Sequence, residues 1–161
     1  MAQRKKNQGR DKREQPEDAI AMLKADHQKV RDIFEEYQTA TDPETRRELA
    51  EEACTELEIH TQLEEQLFYP TVNEETDEGP ELVKEAMREH QAVKDLIEEL
   101  RGLGPDHQAF DATFKKLIRN VEHHIEEEEA EMLPLAEVEL EDEMDDLTEE
   151  MQELKQEITA S

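Results

Sequence analysis

Apolar residues recur along this chain at steps of three and four, the spacing that keeps one face of an α-helix continuous. The first stripe reads Ile20, Leu23, Val30, Phe34 and Tyr37, with His27 in its middle. The second reads Leu49, Ala53, Leu57 and Leu67, interrupted by His60 and Glu64. The third runs Val83, Ala86, Val93, Ile97 and Leu100 around His90, and the fourth Phe110, Phe114, Leu117, Val121 and Met132 around His124 and Glu128. These stripes predict helices over roughly 17–39, 43–69, 80–101 and 105–133. Pro16, Pro43, Pro80 and Pro105 stand at their starts, where proline's missing N–H has no partner to lose. Asp42 is placed to cap the second helix, and Gly79, Gly102 and Gly104 fall in the connections. Four such rods with short links predict an all-α, up-down antiparallel four-helix bundle. Pro70 and Pro134 predict a kink or an end to the second and fourth helices.

A fifth stripe, Leu140, Met144, Leu147, Met151, Leu154 and Ile158, has the spacing of an a/d heptad seam and predicts a further helix over about 136–158. Its flanks are so acidic that folding back on the bundle is favoured over a parallel homodimer. Engagement of a protein partner or self-association is the other use of such a helix. The expected organisation is a basic arm at 1–15, a bundle at 16–136 and an acidic amphipathic C-terminal helix at 137–161.

The chain repeats itself. "ADHQKVRDIFEEY" (25–37) aligns with "REHQAVKDLIEEL" (88–100), and "HTQLEEQLFYP" (60–70) with "HIEEEEAEMLP" (124–134). His27 falls on His90, His60 on His124, Glu64 on Glu128 and Pro70 on Pro134, as in a duplicated helical hairpin.

Charged residues make up 40% of the chain and the net charge is −27, which disfavours a polyanion such as nucleic acid as a partner. Residues 1–13 are the exception, with six Lys or Arg against one Asp, and read as a solvated arm. No apolar run approaches the ~18 residues that would span a bilayer, and none follows the basic stretch as in a secretory signal. The one cysteine, Cys54, reads as a small buried thiol and agrees with a reducing, cytoplasmic location.

Six polar residues on the apolar stripes carry the chemistry: His27, His60, Glu64, His90, His124 and Glu128. Residues four apart share a helix face, so each His-x-x-x-Glu pair points inward. A buried carboxylate without a counter-charge costs several kcal/mol, and no Lys or Arg occupies the seams. A cation is required. Imidazole and carboxylate suit iron, zinc or manganese, and the lack of a Cys ligand argues against a closed structural zinc site. Six side chains and internal two-fold symmetry suggest two metals, with the two Glu bridging and two His on each. Ferritin-type di-iron bundles use Glu-x-x-His. The residues three before each seam His here are Lys24, Leu57, Met87 and Val121, which excludes that motif.

The pattern resembles the hemerythrin-like proteins, the HHE cation-binding family, over about residues 17–136. "DHQKVRDIFEEY", "HTQLEEQLFYP", "EHQAVKDLIEEL" and "HIEEEEAEMLP" carry the resemblance in order. It implies a non-haem di-iron centre of two Fe ions, oxo- or hydroxo-bridged when oxidised, held by His27, His60, Glu64, His90, His124 and Glu128. Members bind oxygen reversibly, sense oxygen or redox state, handle iron, or react with peroxide or nitric oxide. Oxygen-carrying hemerythrins have a fifth His one turn from the third-helix His, where this chain has Ala86 and Lys94. Their last carboxylate is an Asp at i+5 rather than a Glu at i+4. The departure implies a more symmetric and more open centre. His123 projects away from the seam and His107 faces solvent. Tyr37 and Tyr69 lie roughly 13–15 Å along their helices from the nearest seam His, too far to ligate unless a helix bends. Glu65, Glu127 and Glu129 read as solvated faces.

The expected function is therefore binding of O2 or a related small ligand, for oxygen or redox sensing or protection. The alternatives are an oxidoreductase acting on peroxide or nitric oxide, and a metal-stabilised helical interaction module.

Overall fold

A computed structural model describes residues 18–104 and 106–160. The basic arm, Pro16 and Pro105 lie outside the described residues. Helix α1, Ala19–Thr39, begins where the Asp18 carboxylate accepts the Ala21 N–H at 2.9 Å. Helix α2, Pro43–Leu63, begins where Asp42 accepts the Thr45 N–H at 3.1 Å, the cap its sequence predicts. A π-helical turn, Glu64–Phe68, carries α2 unbroken into α3, Tyr69–Glu75. Helix α4 spans Gly79–Gly102. Helix α5, Ala109–Glu127, passes through a second π turn, Glu128–Met132, into α6, Leu133–Glu139. Helix α7, Met144–Ala160, follows a short turn. Among the described residues there is no strand.

The two internal prolines neither end their helices nor stand alone. Pro70 and Pro134 are each the second residue after a π turn, and each turn closes with an i→i+5 bond, Tyr69 N–H to Glu64 O and Leu133 N–H to Glu128 O. Proline leaves the i−4 carbonyl without a donor and crowds it. Widening the helix by one residue just ahead of the ring absorbs both defects and lets the rod continue. The second and fourth rods therefore reach Glu75 and Glu139 rather than 69 and 133. The fifth helix begins at Met144 rather than 136, and the fourth starts at Ala109.

The rods bury two apolar clusters, one on each side of the histidine level. One is built on Phe34, Tyr37, Leu57, Ile97, Phe114, Leu117 and Val121, with Phe34 edge-on to Phe114 at 5.8 Å between centroids. The other joins Ile20, Leu23, Leu63, Phe68, Val72, Met132 and Leu133 to Leu140, Leu147 and Met151. Helix α7 thus folds back on its own chain, its apolar stripe inward. Cys54 is buried in the first cluster, and burial pushes its thiol up to about 12, so it is inert at neutral pH. No helix among the described residues is long and apolar enough to cross a membrane.

Gly79 opens α4 rather than lying in the loop before it. A Cβ there would fall inside hard contact of Val72 O and of Thr76 Oγ1. The Thr76 hydroxyl already donates to that carbonyl at 2.9 Å, so neither atom can give way cheaply. Gly79→Ala is expected to destabilise the fold by about 1–3 kcal/mol, read as a lowered denaturation midpoint, while Gly102→Ala, with open space around it, is nearly neutral.

Candidate metal centre

Between the two apolar clusters all six seam residues come together: His27 from α1, His60 from α2, His90 from α4, His124 from α5, and Glu64 and Glu128 from the first residue of each π turn. All are buried, Glu64 to 0% exposure and Glu128 to 3%. They form two groups. In the first, ligand atoms of His27, His60, Glu64 and Glu128 lie within 4.8 Å of one another; in the second, those of Glu64, His90 and His124 do. The carboxylates face both groups with separate oxygens. Glu64 Oε2 lies 3.2 Å from His60 Nε2, and its Oε1 3.0 Å from His90 Nε2. Glu128 Oε1 lies 3.1 Å from His27 Nε2, and its Oε2 3.4 Å from His124 Nε2.

What turns the imidazoles inward is a ring of four further carboxylates. Asp26 on α1 takes His60 Nδ1 at 3.0 Å, and Glu65 after α2 takes His90 Nδ1 at 2.7 Å. Glu89 on α4 takes His124 Nδ1 at 2.6 Å, and Glu129 after α5 takes His27 Nδ1 at 2.8 Å. Each rod supplies a carboxylate to the next, and the ring closes. A carboxylate of this kind only accepts, so each Nδ1 donates to its relay and each Nε2 is the nitrogen turned toward the centre.

The centre is consequently a convergence of acceptors. His27 Nε2, His60 Nε2, Glu64 Oε2 and Glu128 Oε1 have no hydrogen-bond partner, and these are the atoms of the first group. An uncompensated buried charge of this kind is costly. Without an ion the groups answer by holding protons. Burial pushes the His60 imidazole down, but Glu64 and Asp26 beside it overcome that and raise it well above its ordinary value. His124 is likewise opposed by burial and raised to about 10 by Glu128 and Glu89. Burial pushes Glu64 up, yet His60 and its other partners hold it well below the carboxylate range. Positive charge is what the cavity demands, and the donor set, imidazole nitrogen with carboxylate oxygen, fits a divalent or trivalent transition ion.

Two expectations are corrected here. Glu65 and Glu129 are not solvated faces, since they orient His90 and His27. Tyr69 is not remote. Its hydroxyl lies 3.0 Å from Glu64 Oε1, 3.0 Å from His90 Nε2, 3.4 Å from His124 Nε2 and 2.6 Å from Glu128 Oε2. The π turn is the cause. On an α-helix a residue at i+5 lies about 140° from its starting face, whereas the i→i+5 bond brings Tyr69 back beneath Glu64. Burial and the two carboxylates raise its phenol well above 10, so it stays protonated unless a cation replaces the proton. The repeat-related residue is Leu133, buried and apolar. The centre is thus asymmetric, with a phenol on the second group only. Pro70 is the one sequence signal that could have pointed to it, through the turn it imposes. The relay carboxylates had a signal too: Asp26 and Glu89, and Glu65 and Glu129, recur with the ligands they adjoin.

The remaining residues fall outside the cluster. Tyr37, buried in the first apolar cluster, donates to the half-exposed Asp111 at 3.0 Å. His107 Nδ1 accepts the Ala109 N–H at 3.0 Å at the start of α5. His123 is 64% exposed and lies 3.0 Å from Glu127. Ala86 is buried in the second apolar cluster, and Lys94 reaches Glu65 at 2.8 Å.

A helical bundle with a buried His/Glu cluster able to hold metal ions defines the class of protein. The profile of the hemerythrin HHE cation-binding domain matches residues 18–136, and the chain belongs to that family. It is 31% identical over 124 residues to a DNA nickase of Nostoc sp., covering 76% of this chain and 34% of that protein. It is 27% identical to an uncharacterised hemerythrin-like protein of Schizosaccharomyces pombe, over 73% of this chain and 59% of that one. The chain thus spans about a third and three fifths of the length of these relatives. A hemerythrin HHE cation-binding domain-containing protein of Mycobacterium kansasii, solved by crystallography, superposes with a TM-score of 0.76 at 25% identity, covering 89% of this chain and 88% of that one.

Proposed function

We propose that this chain is a non-haem di-iron protein that binds O2 or a related small ligand at the buried cluster. His27, His60, His90 and His124 would hold the two ions, with Glu64 and Glu128 shared between them. The observation that carries the reading is the set of four buried, unpartnered acceptor atoms. Iron there would supply reversible one-electron chemistry and open coordination positions for a small ligand.

The chain's own residues limit what reaches it. A cavity of about 20 Å³ lies against the four imidazoles, walled by Val30, Leu57, Val93, Val121 and Ile125. It has room for roughly one water-sized molecule, and its apolar wall favours a neutral diatomic over an anion. The Tyr69 hydroxyl lies against Glu64, His90 and Glu128. A phenol proton at that position favours a second reading, turnover of peroxide, since it could be handed to a reduced oxygen atom. Exposing the reduced protein to air separates these. A visible band that vanishes under vacuum supports reversible binding; one-way oxidation with catalytic consumption of peroxide supports the second reading. A colourless protein holding only zinc would leave a metal-stabilised interaction module.

Tyr69→Phe removes the hydroxyl and keeps the ring. If the phenol were to pass its proton to Glu128, 2.6 Å away, and take a ferric ion on its oxygen instead, the wild type would show a phenolate-to-iron charge-transfer band that the variant lacks, with iron content unchanged. An unaltered visible spectrum would place Tyr69 outside the coordination sphere.

The nicking activity of the Nostoc relative is not proposed for this chain, whose net charge of −27 repels a polyanion. The single buried thiol fits a reducing, cytoplasmic setting.

A further inference from the structure

Each carboxylate of the ring has a second oxygen, and each of these meets a basic side chain. Glu129 Oε1 lies 3.9 Å from Arg31, and Glu65 Oε1 2.8 Å from Lys94. Arg31 and Lys94 are a repeat-related pair, 63 residues apart as His27 and His90 are. The other two relays have no such matched cations. Glu89 Oε2 lies 3.8 Å from His123. Asp26 Oδ1 receives Lys155 Nζ at 3.0 Å, and Lys155 belongs to α7, beyond the residues that match the family.

Lys155 is the only basic residue from 137 onward, in a segment with eleven Asp or Glu. Its place on α7 is therefore specific. The helix is held where this contact needs it. Leu147 and Met151 are buried against the bundle, and Thr148 Oγ1 accepts the Ala19 N–H at 2.8 Å, one of the amides that α1 cannot satisfy within itself.

We propose that Lys155 is a positioning residue for the metal centre: by holding Asp26 it fixes the orientation of His60, and so couples the docking of the C-terminal helix to the first of the two ligand groups. The proposal rests on reading the buried cluster as a metal centre. Asp26 is buried, with one oxygen on His60 Nδ1 and the other on Lys155. Without the ammonium, Asp26 keeps a buried charge served by one partner and is free to rotate, and His60 loses the anchor that holds Nε2 toward Glu64. Outer partners of this kind change metal affinity by about 10–100-fold when removed. His90 and His124 of the second group are anchored through Glu65 and Glu89, whose outer oxygens meet Lys94 and His123 rather than Lys155.

The test uses the full chain loaded anaerobically with ferrous ion, and follows transfer to a coloured ferrous chelator. Lys155→Met keeps the apolar stem and removes the charge. It is expected to speed one phase of release about tenfold and leave the other unchanged, and Lys155→Arg is expected to restore the wild-type rate to within about twofold. Thr148→Val, which removes the bond to the Ala19 N–H and weakens the docking of α7, is expected to lower the melting temperature and to speed the same phase. Unchanged release in Lys155→Met or in Thr148→Val, or equal acceleration of both phases, would overturn the coupling while leaving the metal centre intact. Failure of the wild type to take up iron would instead overturn the metal centre, and this inference with it.

Discussion

Glu64→Ala is expected to abolish binding of both of the proposed metal ions, whereas His90→Ala removes one. The difference follows from the oxygens of Glu64, one 3.2 Å from His60 in the first group and the other 3.0 Å from His90 in the second. Removing a carboxylate that faces both groups leaves each an acceptor short and strips the counter-charge from His60. Breaking a buried charged pair by deleting one partner costs about 3–5 kcal/mol, so the metal-free Glu64→Ala protein is also expected to melt well below the metal-free wild type. Elemental analysis of protein made in iron-replete cells, with thermal melts before and after chelation, measures both effects. Full iron content in Glu64→Ala would remove it from the ligand set and sink the bridging arrangement.

The second large effect is a reversal of pH dependence on loading with metal. In the metal-free protein His60 and His124 have folded values above the roughly 6.5 of unfolded imidazole, His124 at about 10. A raised imidazole contributes stability that is complete below the unfolded value and is lost as pH climbs through the folded one. Metal-free protein is therefore expected to lose stability between pH 7 and 10, by up to about 1.4 kcal/mol per pH unit for each imidazole that keeps its proton. Metal ligation needs the same nitrogens unprotonated, so loaded protein is expected to hold or gain stability over that interval. On the acid side, Glu89 is opposed by burial but lowered to about 2 by His124 and its other partners, and its contribution fails only in strong acid. Melting curves of both forms at pH 7, 8.5 and 10 decide the matter. Parallel slopes would show that the imidazoles do not exchange protons for metal.

Both effects trace to residues that a helical period identifies. A histidine and a glutamate four apart on an apolar stripe must share a buried face, because 3.6 residues per turn leaves them nowhere else to point. The repeat then places one such set on each half of the chain, and antiparallel packing through short links brings the halves to one level. His27, His60, Glu64, His90, His124 and Glu128, and the bundle that holds them, follow from that periodicity alone.

Tyr69, the four relay carboxylates and Lys155 depend on something periodicity does not carry. Its position within a helix places Asp26 at the rim of the seam, where it reads as a surface charge; only the crossing of α1 with α2 puts His60 Nδ1 within 3.0 Å of it. Tyr69 lies on the wrong face of an ideal helix and on the right face of one carrying a π turn, and an apolar pattern does not register the extra residue. Lys155 stands 129 residues from Asp26, so their meeting depends on where α7 comes to rest. Side-chain spacing along one rod determined which groups must be buried together; the tertiary arrangement of the rods decided what orients them, because hydrogen bonds between helices obey distances in space rather than steps along the chain.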